Sequence, residues 1–204
     1  MKKTVRRNIE AGVIFGLVCA IILSFAGVEA RCDELREGVL RLHVLANSDS
    51  AADQNLELKV RDKILEITEK EFAKAENIGE AVKTASADLE RITAAASEVI
   101  KEEGFDYAVS ASVGKDFFTN REYDGFTLPA GVYNSLTVRI GGARGHNWWC
   151  VLFPGVCLSA AKKGKLGKAV SKRSAAMAEN ASRYRICFKA VEIFEIIKNK
   201  IRKK

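Results

Sequence analysis

Residues 11–28, AGVIFGLVCAIILSFAGV, run eighteen positions without a charge, directly after MKKTVRR, which sets four positive charges in seven residues. No other stretch constrains the chain as strongly. A basic flank followed by an apolar run is the pattern of a secretory signal peptide, and ~18 apolar residues are also just enough for a membrane span. Val28-Glu29-Ala30 places small residues third and first before a cut, which suits a signal peptidase. Cleaved signal and retained anchor therefore both stand. A core helix of a soluble domain fits less well, because the charges cluster on one flank and no polar stripe accompanies the run. With either membrane reading, the Lys/Arg-rich flank stays inside and everything after residue 30 is expected outside the cytoplasm.

That compartment changes how the cysteines read. Cys19 falls in the apolar run, leaving Cys32, Cys150, Cys157 and Cys187 where disulfides persist, with three pairings open. Cys150 and Cys157 enclose six residues that include Pro154-Gly155, a turn that can bring the two thiols within bridging distance. They are the disulfide candidates. A zinc site is the alternative, but no CxxC or HxxxH spacing accompanies them.

The rest is one domain with a tail. About 175 residues follow the apolar segment, enough for one ordinary core. Residues 31–158 hold 15 Lys/Arg against 21 Asp/Glu, whereas residues 159–204 hold 14 against 3, so the net charge of +7 describes neither part. AAKKGKLGK, residues 160–168, reads as a basic linker. Beyond it, Ile186, Phe188, Val191, Ile193, Phe194, Ile196, Ile197 and Ile201 can form a broad apolar helical stripe ending in KNKIRKK. Such a helix can lie on an anionic membrane or pack on the domain with a solvated basic face.

Within residues 31–158, GVLRLHVLAN alternates Leu40, Leu42, Val44 and Ala46 against Val39, Arg41, His43 and Leu45, which predicts a strand with one strongly apolar face. Ser50 follows as a helix cap, with Asp53 three residues on in a weak reciprocal capping-box role, and Leu56, Val60, Ile64 and Ile67 share one face. A second helix is predicted from about Gly79 to Glu103, with Val82, Leu89, Ile92, Ala96 and Val99 or Ile100 inward. DYAVSASVG, VYNSLTVRIGG and NWWCVLF read as strands, the last two joined as a hairpin through Gly141, Gly142 and Gly145. The fold class expected is α+β, a mainly antiparallel sheet with two helices on one face, plus the N-terminal signal or anchor helix and a C-terminal basic helix.

Chemistry concentrates in GHNWWCVLFPGVC, residues 145–157. Three readings compete for it. A cysteine hydrolase would pair Cys150 or Cys157 with His43 or His146, the only histidines in the chain, although no papain-type motif is present. A cell-wall module would stack glycans on Trp148 and Trp149. A protein ligand would use His146, Asn147, Trp148 and Trp149 as a recognition surface, with one tryptophan in the core and its neighbour exposed, since successive strand residues point to opposite faces.

LRLHVLANSDSAADQNLELKVRDKIL, residues 40–65, and LPAGVYNSLTVRIGGARGHNWWCVLFPGVC, residues 128–157, resemble the stage II sporulation protein R family of endospore-forming bacteria over roughly residues 37–158. The resemblance implies an exported signal, made in the forespore and acting in the space between forespore and mother cell. Its implied partner is a membrane-bound aspartic protease of the mother cell, a receptor protease that matures a sigma-factor precursor. It implies no enzyme activity, catalytic residue, cofactor, metal or nucleic-acid partner. Two features depart from the family pattern: Pro154-Gly155 stands where a double proline is expected, and the long basic tail is additional.

Overall fold

The computed structural model describes residues 2–123, 125–155 and 166–202. Its strands are β1 (Leu40–Leu45), β2 (Val109–Phe118), β3 (Arg121–Tyr123), β4 (Phe126–Leu128), β5 (Gly131–Ile140) and β6 (Asn147–Phe153). Four of them form one sheet in the order β2-β5-β1-β6, while β3 and β4 make a separate two-stranded ribbon. The β2–β5 and β1–β6 pairs are antiparallel and β1–β5 is parallel, so the sheet is mainly antiparallel, as the patterning predicts.

The expected β5–β6 hairpin is not formed. Although only six residues separate these strands, β1 lies between them, with Leu42 opposite both Leu136 of β5 and Cys150 of β6. A connection of that length readily spans two inter-strand spacings of about 4.8 Å each. The central place suits β1, because Leu40, Leu42 and Val44 are fully buried on one face and Arg41 on the other.

Among the described residues six α-helices flank the sheet: α1 (Lys2–Gly38), α2 (Ala51–Lys74), α3 (Ile78–Ala87), α4 (Leu89–Glu102), α5 (Lys172–Glu179) and α6 (Ala181–Arg202). Ser50 caps α2 by accepting from the Asp53 N–H. The Asp53 carboxylate does not return the bond to Ser50 N, which donates to Ser48 Oγ; it accepts from Asn47 and Ser48 instead. The single helix expected over 79–103 is broken at Asp88, which ends α3 and starts α4 at φ −92° and ψ 2°; aspartate is a weak former of helix interiors, and here its carboxylate caps no backbone N–H but accepts from Arg91 at 2.7 Å. Three helices, not two, therefore cover the first face. Leu56, Val60 and Ile64 of α2 and Ile92 and Ala96 of α4 close over Leu40, Leu42, Val44, Leu136 and Val138. Each fully buried aliphatic side chain there contributes roughly 1.5–3 kcal/mol.

The opposite face is covered as well. Val28, Cys32 and Leu35 from the end of α1, Met177 and Ala178 of α5, and Phe188 and Val191 of α6 pack with Phe118, Leu128 and Tyr133 in a second core. Residues 160–165 of the expected linker lie outside the described residues; Leu166–Lys168 forms a 3-10 turn whose Leu166 is buried in that second core. Upstream, α1 exposes Val13, Ile14, Phe15, Leu17 and Leu23, and its span Val5–Gly38 is long and apolar enough to cross a membrane.

Candidate functional site

Because β1 sits between β5 and β6, the loop leaving β1 and the loop joining β5 to β6 meet at one end of the sheet. The β1–α2 loop offers backbone acceptors, and the glycine-rich loop meets them: Gly145 N donates to Ala46 O at 3.0 Å and Arg144 N to Asn47 O at 3.3 Å. The Asn47 side chain joins both halves, accepting from Gly142 N at 2.8 Å and donating to Asp53 at 2.9 Å. Contact is so close that a Cβ on Gly145 would fall 2.3 Å from Ser48 O, and one on Gly141, whose φ is +55°, 2.3 Å from Asn47 Oδ1. Glycine is required at both places.

Asp49 stands at the tip. One of its carboxylate oxygens lies 2.6 Å from both the backbone N and the ring Nδ1 of His146, and both side chains are exposed. Behind them, Gln54 Nε2 bonds Ser48 O at 3.0 Å and His146 O at 3.4 Å. Deeper still, Glu57 accepts from Trp148 N at 2.7 Å, and the Arg61 guanidinium lies 4.3 Å over the Trp148 ring. Glu57 is only 2 % exposed. Burial pushes its carboxyl up to about 7, against the pull of the Trp148 N–H and the nearby Arg61 and His146. Asp53 moves the other way, held below the usual carboxylate range by Ser48 and then Asn47.

The four recognition candidates are contiguous but not equivalent. His146 and Asn147 are exposed, and Trp148 and Trp149 do point to opposite faces. Neither tryptophan is the exposed anchor that strand alternation suggested, for both are half-buried. Trp148 packs on the first core under Arg61, and Trp149 turns its edge toward His43 and Phe118, at 6.0 and 5.7 Å between ring centroids. The expectation assumed one covered face; with helices on both, each tryptophan meets a core.

Under the sheet lies a second polar group. His43 Nδ1 is 3.5 Å from Asp116 Oδ2, at the outer limit of a hydrogen bond. Thr137 donates to Asp116 and is itself 3.0 Å from Ser135, and His43 with these hydroxyls holds the Asp116 carboxyl well below its usual range. Beside it, the buried Arg41 guanidinium stacks 4.0 Å from the Phe118 ring and donates to Tyr123 Oη at 2.7 Å.

A thiol–imidazole pair is not assembled among the described residues. Cys150 points into the first core, His43 lies on the opposite face, and His146, four residues before Cys150, is engaged by Asp49. Cys157 lies outside the described residues. No group of three or more His, Cys, Asp or Glu able to hold a metal occurs among the described residues.

Sequence reasoning singled out none of Asp49, Gln54, Glu57 and Arg61. The signal available was their spacing: positions 54, 57 and 61 repeat at three and four residues, one polar row on the side of α2 that turns to β6.

Fold and site together define an α+β protein with an N-terminal helix long and apolar enough to cross a membrane and a close-packed junction of two loops at one end of its sheet. The chain belongs to the Stage II sporulation protein R family, which it matches over residues 36–163, and so has a role in sporulation. It is 32% identical over 174 residues to the Stage II sporulation protein R of Bacillus subtilis (strain 168), across 82% of this chain and 76% of that protein. No solved structure matches it. Both sequence blocks that carry the resemblance contribute to the loop junction.

Proposed function

We propose that the chain is an exported sporulation signal that acts by binding, activating a membrane-bound aspartic protease of the mother cell and so leading to maturation of a sigma-factor precursor. The observation that carries this reading is the loop junction, where Asp49, His146 and Asn147 are exposed on backbone fixed by Asn47, Asp53 and the two close-packed glycines. A rigid exposed tip loses little conformational freedom on docking, which is what a binding surface needs. Residues 11–28 deliver the domain outside the cytoplasm, as signal or anchor, and the α1 span supports that route. A Cys150–Cys157 disulfide stiffens the far end of β6. Its support is the six-residue spacing of the two cysteines around Pro154-Gly155 and the compartment in which disulfides persist. Arg61 occupies one face of the Trp148 ring, which weighs against a glycan-stacking platform.

The test is a reporter of sigma-factor maturation in sporulating cells, with the signal normalised to exported, folded protein. His146→Ala is expected to weaken it, while His146→Asn, whose amide can replace the imidazole donor to Asp49, restores most of it. Asn147→Arg, which places bulk and charge on the tip, is expected to abolish it, since one central contact is commonly worth ~2 kcal/mol, about thirtyfold in affinity. If His146→Asn were as inactive as His146→Ala while Asn147→Arg signalled normally, proton transfer would replace binding as the explanation.

A further inference from the structure

Helix α6 carries two apolar faces, and only one of them is used. Phe188 and Val191 are buried in the second core, and Glu192 and Glu195 lie on the same inward side. The other face leaves Ile186 87 %, Ile193 54 %, Phe194 49 %, Ile197 53 % and Ile201 70 % exposed. At about 100° per residue these five positions fall within an arc of roughly 100°, a continuous stripe along the helix. The sequence left open whether the apolar residues of this tail pack on the domain or face a membrane; the helix divides them between the two directions.

Charge identifies what the outward stripe faces. Both acids of α6 are turned inward and paired, Glu192 with Lys189 at 2.7 Å and Glu195 with Lys198 at 2.8 Å, and Glu195 also lies 3.9 Å from Arg36 of α1. Every exposed charge on α6 is therefore positive, with Lys189 and Lys198 flanking the stripe and Lys200 and Arg202 at its end. An apolar stripe bordered by lysines matches an anionic lipid leaflet, where isoleucines enter the acyl boundary and ammonium groups stay among the headgroups. The Arg36–Glu195 contact ties α6 to the end of α1, the helix long and apolar enough to cross a membrane.

We infer that α6 is a second membrane contact, lying in the plane of an anionic phospholipid leaflet through Ile186, Ile193, Phe194, Ile197 and Ile201. The inference requires that α1 bring the chain to a bilayer and is independent of the receptor. If α1 is cleaved as a signal, α6 holds the released domain at the surface; if α1 stays, α6 fixes the domain's tilt.

The experiment is hydrogen exchange by mass spectrometry on the full chain, reconstituted in vesicles of phosphatidylcholine with or without phosphatidylglycerol. Amides of residues 190–201 are expected to exchange roughly tenfold more slowly in the anionic vesicles, because several cations add attraction there. Amides of α4, on the other face of the sheet, serve as the folding control and stay unchanged. A full-chain variant carrying Ile193→Ser and Ile197→Ser is expected to lose the lipid difference. Equal exchange of wild-type α6 in the two vesicles overturns the inference, and so does slowing that grows with protein concentration, which would assign the stripe to a second copy of the chain. Neither outcome touches the reporter assay, so failure here and failure of the signalling reading are separable.

Discussion

Replacing Glu57 with glutamine gives the sharpest test of the loop junction, because it removes one ionisation and keeps the acceptor that holds Trp148 N. In the folded protein the carboxyl titrates at about 7, against an ordinary 4.5. The native state therefore binds the proton more readily than the unfolded chain across that interval, so stability falls as pH rises from about 4.5 to 7 and is level above it. The difference corresponds to about 3 kcal/mol when the carboxylate is fully ionised, and since the side chain is almost wholly buried, solvent screening removes little of it. Glutamine is neutral throughout. Its extra N–H₂ needs a partner that the carboxylate did not, at a cost of ~1 kcal/mol. Near pH 5 the two forms should be about equally stable, and near pH 8 Glu57→Gln should be ahead by ~2 kcal/mol, a rise in Tm of roughly 4–8 °C. Thermal unfolding of the full chain in detergent micelles, followed by circular dichroism at both pH values, reads this directly. A wild-type-minus-variant difference that does not change with pH would refute the reasoning, for it would mean that Glu57 titrates normally and the junction is not dry.

Gly145→Ala is expected to push the two loops apart, because its Cβ would meet Ser48 O at 2.3 Å; a loss of about 2 kcal/mol or more, with faster amide exchange at residues 46–49, checks it, and an unchanged Tm would show that the loops can separate freely. Cys150→Ser and Cys157→Ser should each lower stability by about 2–4 kcal/mol without reductant and match the reduced wild type with it; free thiols at both positions in unreduced peptide maps would remove the disulfide. Asp116→Asn should cost roughly 1–2 kcal/mol at neutral pH. Since the Asp116 carboxyl is depressed, that contribution is present above about pH 4 and fades as pH falls further; a loss that persisted in full at pH 2 would assign it to packing instead.

The elements were legible because their signals are local. Alternation in LRLHVL, the Ser50 cap, the apolar spacing of α2 and the eighteen-residue apolar run are each complete within a few turns or residues of chain. The break at Asp88 was legible too, in a residue that favours caps, but the apolar periodicity on either side outweighed it. The ribbon β3–β4 offered only three residues per strand, too few for alternation to register. At the junction, the glycines and the GHNWW run marked one loop, whereas Asp49, Gln54, Glu57 and Arg61 looked like any charged helix start. Nothing within residues 49–61 says that they face residues 141–148; only the position of β1 does.

By itself, then, the sequence determined the apolar N-terminal segment, the strands and most helices, the face each buries and the family, because periodicity, capping and charge flanks act between residues near in the chain. Tertiary structure decided that β1 separates β5 from β6, that both faces of the sheet are covered so that neither tryptophan stands free, and which isoleucines of α6 turn outward. Strand order and layer stacking are settled by competition among distant apolar surfaces for one another, and each strand has two edges and two faces to satisfy. A strand pattern records which face is apolar; what comes to lie against it depends on every other element in the fold.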